Sequence, residues 1–160
     1  MSLGPEVPAP GVGHQRASYW LHRAPAQAAL AANADVEVLE AVNVAMPGGK
    51  LLVPDVMVVD AEAVGETTKR IPCESVRAVV DVVSPSTVSI DRTVKPVIYE
   101  EAGIPVYWRV ELETKPTIVA CSLNRGRYVS RTTLVAGIVG RITLPFAIEL
   151  DHAHLSRRTV

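Results

Sequence analysis

The chain lacks any apolar run long enough to span a bilayer, and its N-terminus lacks the charged-then-apolar order of a secretory signal. A helical membrane span is thereby excluded, and a cytoplasmic protein with no membrane partner is expected. Cysteine is scarce: Cys73 and Cys121 are the only two, in no metal-ligand spacing, so a disulfide framework and a thiolate metal site are excluded. There is no basic surplus either. Sixteen Lys and Arg stand against seventeen Asp and Glu, for a net charge of −1. Phosphate contacts need Lys and Arg, so a nucleic-acid binder of this composition has to gather its basic residues on one face. Arg125, Arg127 and Arg131 near one hairpin, and Arg157 with Arg158 in the tail, are the local clusters. No phosphate-cradling glycine loop, nucleophile elbow or HExxH motif is present.

What is present is a core. Of 160 residues, 48% are apolar, enough for one domain without staples. Residues 1–13 are rich in Pro and Gly and read as a flexible N-terminal segment, 14–151 as a single domain, and 152–160 as a loose tail. The Ala-rich stretch His14 to Ala32 favours helix, with Pro25 expected to kink or split it. Strands are expected from Val36 to Val44, Leu51 to Val59, Val76 to Val83, Val106 to Glu111, Thr117 to Leu123, Tyr128 to Leu134 and Thr143 to Leu150. Residues 60–75 are polar and aperiodic and read as a loop. A helix from about Arg92 to Ala102 is closed by Gly103 and Pro105, and tolerates Pro96 only in its first turn. Asn124-Arg125-Gly126-Arg127 is a hairpin turn. Strands with one crossover helix among them make an α/β (α+β) domain, a mixed β-sheet flanked by helices.

One residue breaks the apolar pattern. Asp81 lies inside Val79-Val80-Asp81-Val82-Val83, a β-branched run of the kind found in a buried central strand. A buried carboxylate costs several kcal/mol unless a cation, a metal or strong donors meet it. Asp55 opens a second apolar run after Pro54, and Lys95 follows on the next helix. Two acids on neighbouring strands and one lysine form a candidate site for Mg²⁺ or Mn²⁺ and phosphodiester hydrolysis. Each residue also has a plainer reading: Asp55 bonding its own loop, Asp81 in a structural ion pair, Lys95 paired with Asp91 on the helix surface. His14 opens the first helix as a weaker candidate base, against the commoner helix-end histidine. Tyr107 and Trp108 read either as core or as a base-stacking platform. His152 and His154 read as surface residues.

Taken in order, Pro54-Asp55-Val56, then Val79 to Thr87, then Asp91-Arg92-x-x-Lys95-x-x-x-Tyr99, then Gly103-Ile104-Pro105-x-Tyr107-Trp108 resemble the Uma2 family. That family is placed in the restriction-endonuclease-like PD-(D/E)XK superfamily. The resemblance runs from about Pro8 to Leu150 and implies a nuclease-like core, Mg²⁺-type metal chemistry and a homodimer. It aligns Asp55 with the family's PD aspartate and Asp81 with its second acid, usually Glu. It aligns Lys95 with a catalytic lysine moved from strand to helix, and His14 with a histidine that often opens the first helix. Relative to family members the chain is expected to be N-terminally shortened, without their acidic E-x-x-D-G-x hairpin.

The leading expectation is therefore a metal-dependent endonuclease acting on DNA, with Asp55 and Asp81 holding the metal and Lys95 assisting the attacking water. The alternatives are a catalytically silent nuclease-fold module for binding or dimerisation, and an enzyme acting on a smaller phosphate ester.

Overall fold

The structure, a computed structural model, describes residues 11–83, 93–112, 115–135, 138–143, 145–151 and 155. Arg157, Arg158, His152, His154 and Asp91 lie outside them. Among the described residues there are two α-helices and eleven strands, besides three short 3-10 turns: α1 (Val12–Ala31), β1 (Val36–Glu40), β2 (Asn43–Ala45), β3 (Leu51–Leu52), β4 (Val56–Asp60), β5 (Arg70–Pro72), β6 (Val76–Val82), α2 (Lys95–Glu101), β7 (Val106–Glu111), β8 (Thr117–Asn124), β9 (Arg127–Val135), β10 (Val139–Ile142) and β11 (Ile148–Asp151). A six-stranded sheet runs β1-β4-β6-β7-β8-β9. Every pairing in it is antiparallel except β6 with β7, which α2 connects as a parallel crossover.

Strand β6 is buried on both faces, all but Arg77, as its apolar run requires. Alternate residues go to two cores. Ala78, Val80 and Val82 join Trp108, Val110 and Ile118 beneath α1, where Ala17 and Leu21 close the layer with Ile142, Ile148 and Leu150 of the β10–β11 pair. Val76 and Val79 face the other way with Met57, Val59 and Tyr107. There Tyr99 and Ile104 from the α2 region pack beside Val44 and Ile71 of a small β3-β2-β5 sheet.

Several boundaries differ from those the sequence suggests. Helix α1 stays one element through Pro25, which is buried on the sheet-facing side. Packing against the sheet thus outweighs the missing N–H. The stretch Val36 to Val44 is two strands, broken where Ala41 adopts φ 52. Leu51 to Val59 is also two, in different sheets: Pro54, which cannot donate to a ladder, falls in the gap between β3 and β4. The polar segment 60–75 contains β5, a short strand parallel to β2, with Ile71 fully buried. Within the stretch Thr143 to Leu150 the described strand is β11, confined to its end and paired antiparallel with β10, which precedes the stretch.

Other expectations hold at the caps and turns. Helix α2 begins at Lys95, after the expected start at Arg92, which lies outside the described residues, and carries Pro96 in its first turn. It ends in a paired cap, with Gly103 (φ 73) donating to the Glu100 carbonyl at 3.0 Å and Ile104 to that of Tyr99 at 3.1 Å. Arg125 and Gly126, at φ 52 and 76, make the tight turn joining β8 to β9.

Candidate active site

Strands β4 and β6 pair antiparallel as far as Val56 opposite Val80. One step further, Asp55 and Asp81 occupy the next opposed positions, and there side chains replace the ladder. Asp55 Oδ2 accepts the Val82 backbone N–H at 2.6 Å. In return the Asp55 N–H points at Asp81 Oδ1, 3.4 Å away. Pro54 explains why regular pairing stops here, since it has no N–H to offer.

Asp81 has no exposed surface. Its Oδ2 accepts the Tyr99 hydroxyl at 3.1 Å, and Lys95 Nζ stands 3.8 Å from its Oδ1. Lys95 and Tyr99 are four residues apart on α2, so both fall on one face of the helix. Burial, and then the neighbouring Asp81 carboxylate, push the Tyr99 hydroxyl well above its ordinary range, which keeps it a proton donor. Asp55 is more open, at 23% exposure, and its Oδ1 meets His14 Nε2 at 3.0 Å. His14 reaches it from the first turn of α1.

The structure thus gathers Asp55 from the edge of β4, Asp81 from β6, Lys95 from α2 and His14 from α1 at one end of the central sheet. Lys95 lies against Asp81, a contact that the surface-pair reading with Asp91 does not contain. Tyr107 and Trp108 are 2% and 1% exposed and belong to the two cores, which removes them as a stacking platform. Tyr99 has a place here that its position in the sequence motif did not reveal; its spacing from Lys95 was the available signal.

A model of the Uma2 family, described as "Putative restriction endonuclease", matches residues 5–153. The chain belongs to the Uma2 family. A crystal structure from Anabaena variabilis ATCC 29413, described as a "putative nuclease belonging to DUF820", superimposes with a TM-score of 0.68 at 14% identity, over 92% of this chain and 82% of that one. At that identity the likeness is one of fold: the Uma2 chain has a nuclease fold. Comparison with curated proteins gives no match.

The donor set suits a hard divalent ion in kind, because Mg²⁺ is commonly held by one or two carboxylates with water and phosphate completing its shell. Among the described residues no group of three or more His, Cys, Asp or Glu side chains is arranged to hold a metal. Among the described residues, an ion in this Uma2 site would therefore rest on Asp55 and Asp81.

Proposed function

We propose that this chain is a Mg²⁺- or Mn²⁺-dependent nuclease that hydrolyses DNA phosphodiester bonds at the Asp55–Asp81–Lys95 cluster. One observation carries the reading: two carboxylates on opposed strand positions and a lysine from the crossover helix meet where β4 and β6 part. Asp55 and Asp81 would hold the ion. When bound, a divalent ion supplies Lewis acidity toward water and the phosphate.

The protein's own groups do the positioning. His14 fixes the Asp55 carboxylate from one side while the Val82 N–H fixes it from the other. The Tyr99 hydroxyl and the Asp55 N–H orient Asp81. Lys95, 21% exposed, has an ammonium that can turn from Asp81 to the charge that builds on the attacked phosphate or to the incoming water. DNA as substrate, a homodimer and a cytoplasmic setting belong to the same proposal, through family membership.

The test is cleavage of supercoiled plasmid with Mg²⁺ or Mn²⁺. The wild type nicks or linearises it, while Asp55→Ala, Asp81→Asn and Lys95→Ala each lose the activity by about a hundredfold or more, the usual scale for electrostatic groups at a reacting phosphate. An equal low background in all four proteins rejects the reading.

A second reading has its own support. Both oxygens of the wholly buried Asp81 already face donors, and net charge is −1. Both facts favour a catalytically silent nuclease-fold module, in which the cluster is a structural clamp between β4, β6 and α2.

A further inference from the structure

Strand β7 carries a second cation at the level of Asp81. Arg109 is the register partner of Asp81 in the parallel β6–β7 pairing, on a strand roughly 4.8 Å away. Alternation along β7 sets its face. Val106, Trp108 and Val110 pack in the core beneath α1, whereas Tyr107 packs in the opposite core with Tyr99. Arg109 therefore projects to the face on which Asp81 receives the Tyr99 hydroxyl. Its charge also reaches Cys121, where it opposes the upward push that burial gives the thiol.

An arginine within an apolar strand carries a desolvation cost, so its charge needs a partner. Glu111, two residues on and on the same face, supplies one: Arg109 Nε lies 3.4 Å from Glu111 Oε1. That contact is an ion pair without the alignment of a hydrogen bond, for Nε is buried and has no hydrogen-bond partner. The two side chains are 30% and 28% exposed, so solvent and solutes reach them. Since Nε is buried, that exposure belongs to the rest of the side chain, and a planar guanidinium on the sheet face that Asp81 shares matches the geometry of a phosphate oxygen.

We infer that Arg109 is a phosphate-binding residue of this site, which takes a non-bridging oxygen of the substrate backbone, and that Glu111 tethers it while no substrate is present. The inference deepens the phosphodiester reading of Asp55, Asp81 and Lys95 and rests on it. It assigns Arg109 to binding and leaves the attack on phosphorus to the other groups.

The test is fluorescence anisotropy of the full chain with a dye-labelled DNA duplex in EDTA, at several salt concentrations, beside plasmid cleavage with Mn²⁺. Arg109→Gln should weaken binding about tenfold, the loss expected for a hydrogen bond to a charged group, and reduce the salt slope by about one. Arg109→Lys should recover part of the affinity. Glu111→Gln should strengthen binding, because the guanidinium no longer has to leave a carboxylate. A merely structural ion pair predicts no gain from that last change, which also decides the matter if Arg109→Gln fails to fold. Binding by all variants at wild-type affinity and slope, or no duplex binding by the wild type, overturns the inference. Wild-type cleavage with unaffected Arg109 variants overturns it too, while leaving the nuclease reading intact. An Arg109-dependent affinity in a chain that never cleaves supports the inference and rejects the nuclease reading.

Discussion

Asp55 and Asp81 hold each other's strands: the Asp55 carboxylate takes the Val82 N–H at 2.6 Å, and the Asp55 N–H points back at the Asp81 carboxylate from 3.4 Å. Two acids at the point where an antiparallel ladder opens would repel if left alone. Here each is met by donors, with Lys95 and Tyr99 on one and His14 on the other. The same contacts that make the pair tolerable also orient it, which ties the stability of this end of the sheet to the chemistry proposed there.

Removing the lysine should therefore cost stability as well as activity. Lys95→Met takes a cation from a carboxylate with no exposed surface, and should destabilise by about 3 kcal/mol, near the lower end for broken buried pairs. The lower end applies because Lys95 is 21% exposed and its contact spans 3.8 Å. Adding Asp81→Asn to Lys95→Met should restore most of the loss. Urea denaturation of the two single variants and the double variant checks the coupling.

Tyr99 sets an alkaline signature. Its hydroxyl has a raised value in the folded chain, from burial first and Asp81 second, against an ordinary 10.0. The folded state keeps a proton that the unfolded state releases above about pH 10, so stability from this group is complete below that pH and falls as the pH rises past it. Tyr99→Phe should lower stability near pH 7 by about 1–3 kcal/mol through the lost hydrogen bond. It should also flatten the decline between roughly pH 10 and 11 by about one proton. Denaturant midpoints across that range measure both effects.

His14 is expected to matter more for binding than for folding. Its pair with Asp55 is partly exposed, so His14→Ala should cost about 1 kcal/mol or less. Freed from the imidazole, the Asp55 carboxylate should lose orientation, and Mn²⁺ affinity should fall about 10- to 100-fold, as for other groups that steady a metal ligand. Thermal melts and a Mn²⁺ titration of the same variant separate the two quantities.

Gly140 offers a control remote from the site. A Cβ there runs into the end of the buried Leu134 side chain, which would have to move to make room. Gly140→Ala should destabilise by about 1–3 kcal/mol through overpacking while leaving Mn²⁺ affinity unchanged.

Much of this arrangement was legible because Asp81 violates the pattern around it. A carboxylate among five consecutive residues, the rest valines, signals a buried group that needs partners, and Lys95 and the PD step at Asp55 were the natural ones. Arg109 sends the same signal from Tyr107-Trp108-Arg109-Val110, but its meaning depends on the parallel register with β6, which no local pattern encodes. The breaks at Ala41 and Pro54 were harder to read, since apolar residues continue on both sides of each and the change of sheet partner is not written in the local pattern. Strand β5 is three residues long and too short to show a period. Pro25 misleads for the opposite reason: a strong local rule yields to packing of a whole helix on the sheet.

The central claim is that Asp55 and Asp81 together form a divalent-metal site, and calorimetric titration of Mn²⁺ into the full chain tests it most directly. Asp55→Asn and Asp81→Asn keep the shape of each side chain and remove its charge. The account predicts binding by the wild type that either substitution abolishes. Absence of binding at millimolar Mn²⁺, or binding that survives both substitutions, would contradict it and leave the cluster as a clamp between strands.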